Sequence, residues 1–189
     1  RVSDSYSAYY DYEHSPEYQA IHLFKTLSLV AATEKVSAVA WYELKDLPPS
    51  ENVIGDNDNN RYLGVAYPDY KEKPAARALQ FFNELFSKKY RNGNDKLKVD
   101  RTIGSETRVN SFENEDGSFI VTAWIQTSVP GKTSDDKSGM VKDTRVESIN
   151  IELLSALKGD VTLYDELGNK KEFKNYDKSD NVLTLKDIE

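Results

Sequence analysis

Apolar positions fall into two patterns along the chain. From Tyr18 to about Thr33 they recur at helical spacing, with Ala20, Ile21, Phe24, Leu27 and Ala31 forming one stripe that Leu23 and Val30 widen. Ser15 suits the N-cap of this helix, Pro16 its first position, and Glu17 its positive first turn. Residues 1–16 read as a polar, Tyr-rich loop leading into it. Val36 to Tyr42, VSAVAWY, is apolar on both alternating faces. That is the pattern of a strand buried on both sides within a helix-covered parallel sheet. A polar connection rich in Pro, Asn and Asp runs from Glu43 to Lys73, a length usually associated with function or mobility. Pro74 then opens a second helix to about Lys88, with Ala75, Ala78, Leu79, Phe82, Leu85 and Phe86 along one face.

After Asn92-Gly93-Asn94-Asp95 the period changes to two. Leu97, Val99, Arg101 and Ile103 alternate with polar residues, Thr107 to Phe112 is a second short strand, and Ser118 to Thr127 a longer one. Glu115-Asp116-Gly117 reads as the turn between the last two. Further alternation covers Ile149, Ile151 and Leu153, then a hairpin from Val161 to Phe173 around Asp165-Glu166-Leu167-Gly168, and a last strand from Val182 to Leu185. Short strands at this spacing predict an antiparallel β-sandwich over residues 93–189. The first part looks incomplete by itself. A strand buried on both faces needs neighbouring strands that residues 1–92 do not contain. A whole eight-stranded α/β barrel takes about 250 residues. The expected architecture is therefore α/β plus all-β: the last β/α units of a TIM barrel (helix seven, strand eight, helix eight), followed by the sandwich.

Composition narrows the chemistry. A net charge of −7 argues against a nucleic-acid interface, and the short basic cluster Lys88, Lys89, Arg91 reads as a solvated helix end. The chain has no cysteine, which removes disulfides, thiolate metal sites and cysteine nucleophiles. With two His, a multi-histidine metal centre is not expected. No apolar run reaches the ~20 residues of a membrane span, so no membrane partner is expected. Gly55 to Asn60 alternates oxygen ligands as a calcium loop does, but lacks the sixth-place Gly and the twelfth-place Glu, so it reads as a polar turn. No metal and no cofactor is expected. No export signal is present in these residues, which leaves the location open, secretion or the periplasm included.

The stretches EYQAIHLFKTLSLVAATEKVSAVAWYELKDLP and NNRYLGVAYPDYKEKPAARALQFFNEL, in that order and spacing, resemble the end of a glycoside hydrolase barrel. The resemblance is to the cellulase-like superfamily of clan A, nearest the xylosidase- and iduronidase-like family thirty-nine. ETRVNSFENEDGSFIVTAWIQT and KGDVTLYDELGNKKEF resemble the β-sandwich that trails such barrels. The resemblance implies retaining hydrolysis of O-glycosidic bonds by two carboxylates about 5–5.5 Å apart. It also implies that both catalytic Glu residues, after strand four and at the end of strand seven, lie outside this chain, with Arg1 just past strand seven. On this reading residues 1–92 are the C-terminal portion of the barrel, and both ends of the chain look cut. No residue here is expected to be catalytic. The partners would be a carbohydrate substrate and the N-terminal remainder of the barrel, in the same or another chain, and the isolated chain should be inactive.

The candidate substrate-binding residues are Trp41, Glu43, Asp46, Tyr9 and Tyr10. Trp41 and Glu43 share one side at the C-terminal end of the expected strand, where barrel sites are built. Trp41 could stack on a sugar ring or belong to the core. Glu43 could hold a sugar hydroxyl or form a structural ion pair, and Asp46 has the same two roles open to it. Tyr9 and Tyr10 lie with Tyr6 and Tyr12 on the first loop, as subsite walls or as rim packing. Two alternatives compete with the glycosidase reading: a non-catalytic carbohydrate-binding or scaffold module, and a structural interaction protein with no sugar role.

Overall fold

Helix α1 (Pro16–Thr33) begins at its cap: Ser15 Oγ accepts from the Tyr18 N–H at 3.1 Å. It ends where Glu34 turns left-handed, at φ 54°, and returns its N–H to the Ala31 carbonyl. The computed structural model describes residues 15–48, 61–101, 105–125, 146–154, 159–172, 176–177 and 181–188. Tyr9, Tyr10 and the Gly55–Asn60 turn lie outside them. The buried face of α1 is Ala20, Leu23, Leu27, Ser28 and Ala31, while Ile21 and Phe24 are half-buried. Leu23 is thus the most deeply buried large side chain of the stripe, with Phe24 packed against the same core from its margin. Helix α2 (Pro74–Leu85) buries Ala75, Ala78 and Phe82 and ends before Lys88. Lys88 and Arg91 lie beyond it, paired with Asp116 and Glu113.

Three layers follow. Strands β1 (Tyr90–Asn92), β3 (Thr107–Asn114) and β4 (Phe119–Ile125) form an antiparallel sheet in the order β1-β3-β4. The β3–β4 turn uses Gly117 at φ 80°, a conformation that costs glycine little. Strands β2 (Leu97–Arg101), β5 (Glu147–Leu153), β8 (Tyr176–Asp177) and β9 (Val182–Ile188) form a second sheet, ordered β2-β5-β9-β8. Period-two alternation divides β3 and β4 between two cores. Phe112 and its register partner Ile120 join Leu23, Leu27, Ala78 and Phe82 of the helices. Val109, Val121 and Ala123 turn the other way, onto Ile149, Ile151, Leu153 and Leu183. A run of aromatic contacts links helices to sheet: Phe24 to Phe82 at 5.6 Å, Phe82 to Phe86 at 4.3 Å and Phe86 to Phe112 at 4.8 Å. Trp124, 6% exposed, lies on the same face of β4 as Ile120. A short hairpin of β6 (Leu163–Tyr164) and β7 (Lys170–Lys171) packs onto α2, with Tyr164 on Phe81 at 5.3 Å and the Leu167 carbonyl accepting from Arg77 Nε.

The expected architecture of TIM-barrel units followed by a separate sandwich is not the one this chain adopts. The described residues contain two α-helices and small antiparallel sheets, mostly β, and no barrel. Val36–Tyr42 enters no sheet, and the one parallel pairing among the described residues is the isolated bridge Lys45–Ala66. The physical reason is the missing pairs of strands. A doubly buried strand forms only when both edges and both faces are covered. Without those neighbours the helices bury their stripes against one another and against the β3–β4 sheet. The helix core consequently runs across residues 92 and 93, where the period changes in the sequence.

Candidate functional site

The segment from Trp41 to Asp46 is held by a small ladder. The Glu43 N–H donates to the Leu63 carbonyl at 3.3 Å, the Val65 N–H to the Glu43 carbonyl at 3.1 Å, and the Asp46 N–H to the Ala66 carbonyl at 2.8 Å. Residue 66 also bridges to Glu72 in antiparallel fashion, so residues 43–46, 63–67 and 71–73 form three short rails. The peptide bond between Tyr42 and Glu43 is cis. Gly64 makes this approach feasible. A Cβ there would lie 2.2 Å from the Asp46 nitrogen and 2.3 Å from the Lys45 carbonyl carbon. From α1, the Gln19 carboxamide donates to the Leu63 and Gly64 carbonyls, each at 3.0 Å, and ties the helix to the ladder.

Below the ladder sits a buried ion pair. Lys73 Nζ donates to Asp46 Oδ1 at 2.7 Å, to the Gly64 carbonyl at 2.9 Å and to the Tyr62 carbonyl at 3.0 Å. All three ammonium donors are thereby used. Asp46 Oδ1 also accepts from the Gly64 N–H at 2.9 Å. With both side chains under 5% exposed, the pair anchors the loop from within.

Trp41 is half-buried, packs on the helix core and lies 6.5 Å from the exposed His22 ring. Its neighbours Tyr42 and Leu44 point outward, at 67% and 73% exposure. Trp41 Nε1 and Glu43 Oε1 are both buried and have no hydrogen-bond partner among the described residues. Six further buried side-chain atoms, on Gln19, Ser28, Asn110, Ser111, Asn114 and Thr122, share this state, so it does not single out Trp41 and Glu43. Tyr62, Tyr67 and Tyr70 stand exposed on the same loop system. Lys73 Nζ lies 5.7 Å from the Tyr67 ring centre and Lys45 Nζ 5.2 Å from that of Tyr70. Arg61 donates to the Pro48 carbonyl at 2.7 Å.

The structure brings Trp41, Glu43 and Asp46 onto one segment and gives them different roles. Lys73, Gly64 and Gln19 are needed to position that segment, and periodicity does not mark them. Lys73 lies 27 residues from Asp46, and its only local signal is its place before Pro74. Elsewhere, an open apolar depression on α2 is lined by Val65, Ala76, Leu79 and Asn83 among others, and carries no cluster of ionisable groups. Among the described residues no group of His, Asp and Glu could hold a metal ion, and no helix is long and apolar enough to cross a membrane. Comparison with known protein families, curated proteins and solved structures finds no match to this chain. The glycosidase resemblance therefore rests on the sequence motifs themselves.

Proposed function

We propose that the chain is a non-catalytic C-terminal portion of a retaining glycoside hydrolase acting on O-glycosidic bonds of a polysaccharide or oligosaccharide. It supplies a substrate-facing wall from Trp41 to Leu44 and not the catalytic carboxylate pair. The observation that carries this reading is the outward exposure of Tyr42 and Leu44, at 67% and 73%, on the segment whose sequence bears the resemblance. A sugar would meet such a surface with the apolar face of its ring against the exposed aromatic side chain. Asp46 is not assigned to a catalytic pair here: it is almost fully buried and held by Lys73 and the Gly64 N–H.

The test is release of nitrophenol from a panel of aryl glycosides, by the isolated chain and by the complete gene product. The isolated chain should release none. The complete product should hydrolyse at least one with retention of configuration, and Glu43→Gln and Trp41→Ala should lower its kcat/KM by at least about tenfold, ~1.4 kcal/mol. Hydrolysis by the isolated chain that Glu43→Gln abolishes would overturn the proposal, as would a complete product inert on every glycoside.

A second reading is a carbohydrate-binding module without hydrolysis. It is favoured by the exposed rings of Tyr42, Tyr62 and Tyr70, which suit stacking on sugars. Saturable oligosaccharide binding by a complete product that hydrolyses nothing would select it.

A further inference from the structure

We propose that the open edge of β4 is a docking site for a single extended peptide segment of a partner protein, added antiparallel to β4 as a further strand. Hydrogen bonds already in place show which way each β4 backbone group points. The Asn114 N–H donates to the Ser118 carbonyl, so Ile120, Thr122 and Trp124 follow Ser118 in bonding to β3. The alternate residues Phe119, Val121, Ala123 and Ile125 turn their N–H and C=O groups to the other side. Lys25 shows the same direction, since its Nζ reaches from α1 to the Ile125 carbonyl at 3.3 Å. β4 ends its sheet, and the backbone groups of Phe119, Val121 and Ala123 have no hydrogen-bond partner among the described residues. Proteins usually guard an edge with charge, proline or a short strand. β4 is seven residues long, Phe-Ile-Val-Thr-Ala-Trp-Ile, with neither charge nor proline. Lys25 guards only its last residue.

The layers beside this edge select the occupant. β4 packs on β9, and the second sheet runs on past β9 into β8, so it overhangs the β4 edge. A second copy pairing through its own β4 would drive its second sheet into this overhang. A two-fold axis between antiparallel strands stands perpendicular to their sheet and leaves both second sheets on one side. A single strand meets no such obstacle. Peptide residues opposite Phe119, Val121 and Ala123 share the face of those side chains. That face turns to the second core, where Val121 and Ala123 are only half-buried, so these peptide positions are apolar. The alternate positions point to the side from which Lys25 reaches, and are polar. Charge sets the direction. Lys25 stands at the Ile125 end and the exposed Glu115 of the β3–β4 turn at the Phe119 end. An antiparallel peptide that begins with an acidic residue and ends with a basic one sets each charge against its opposite. The site goes beyond the function proposed above and does not depend on it.

The probe is the acetylated and amidated peptide Asp-Val-Thr-Val-Thr-Val-Lys, titrated to about 1 mM into the isotope-labelled 189-residue chain and followed by NMR. The Phe119, Val121 and Ala123 amides should shift saturably and exchange their hydrogens more slowly. The Ile120 and Thr122 amides, already bonded to β3, should keep their exchange rates. The peptide with its ends exchanged, Lys-Val-Thr-Val-Thr-Val-Asp, should bind about tenfold more weakly. Glu115→Lys, in the exposed turn, should weaken the first peptide about threefold. Val121→Pro removes only an outward N–H, which an edge strand tolerates, and should abolish binding in a chain whose circular dichroism is unchanged. If that variant does not fold, Glu115→Lys decides. No saturable shift at the three amides, equal affinity for the two peptides, unchanged affinity in Glu115→Lys, or undiminished binding by folded Val121→Pro would each overturn the proposal. So would slow exchange of the same amides in the free chain that is lost on dilution, since that assigns the edge to a second copy. The readout is backbone protection rather than catalysis, so its failure is distinct from failure of the glycosidase reading.

Discussion

Replacing Lys73 by Met removes a cation from a site that excludes the water needed to replace it. The side chains of Lys73 and Asp46 are 4% and 2% exposed. Three hydrogen bonds end on Lys73 Nζ, at 2.7, 2.9 and 3.0 Å. The variant leaves a buried carboxylate without its counter-charge and the Tyr62 carbonyl without its Lys73 donor, while the Gly64 carbonyl keeps the bond from Gln19. Breaking one side of a buried pair typically costs about 3–5 kcal/mol, a large share of the ~5–15 kcal/mol that keeps a domain folded. With a urea slope of ~2 kcal/mol per molar, the unfolding midpoint should fall by about 2 M. The assay is equilibrium urea unfolding followed by far-ultraviolet circular dichroism, with Asp46→Leu and the double variant Lys73→Met/Asp46→Leu measured beside it. Each single change strands the opposite charge, and the double change strands none. The double variant should therefore be more stable than the sum of the single losses predicts, by at least about 1 kcal/mol. A loss below about 1 kcal/mol for Lys73→Met, or strict additivity in the cycle, would refute the reasoning.

Three more outcomes can be measured. Gly64→Ala should cost about 1–3 kcal/mol, because its Cβ would sit 2.2 Å from the Asp46 nitrogen and the ladder must open to admit it; a midpoint unchanged from wild type would count against the ladder. Ser15→Ala should cost about 1 kcal/mol through loss of the bond to the Tyr18 N–H, and Ser15→Asp should retain most of that stability. Hydrogen bonds from the Ser105 and Thr107 hydroxyls, and then from the Glu106 and Thr107 N–H groups, hold Glu147 down at about 2, below its ordinary 4.5. Because the folded value is the lower one, this contribution is complete above about pH 4.5 and is lost as the pH falls toward about 2; Glu147→Gln should flatten the stability profile across that window, and an unchanged slope would contradict the assignment.

Local signals determined much of the secondary structure. Ser15, Pro16 and Glu17 start α1 because capping and the helix dipole act within one turn. Gly117 turns β3 into β4, and Gly168 at φ 81° turns β6 toward β7, because those backbone angles favour glycine. The alternation in β3 and β4 carries real long-range information, since Phe112 and Val109 do bury on opposite faces. What alternation lacks is the identity of the layer on each side. Here one face meets helices and the other a second sheet. The apolar run Val36–Tyr42 shows the limit most clearly. Its composition expresses a preference for burial on both faces, yet burial depends on partners that a local pattern cannot supply. Likewise nothing near Asp46 in the sequence distinguishes a ligand-binding carboxylate from a structural one. That was decided by Lys73, 27 residues away, which the tertiary fold brings to 2.7 Å inside a site too dry for either charge to stand alone.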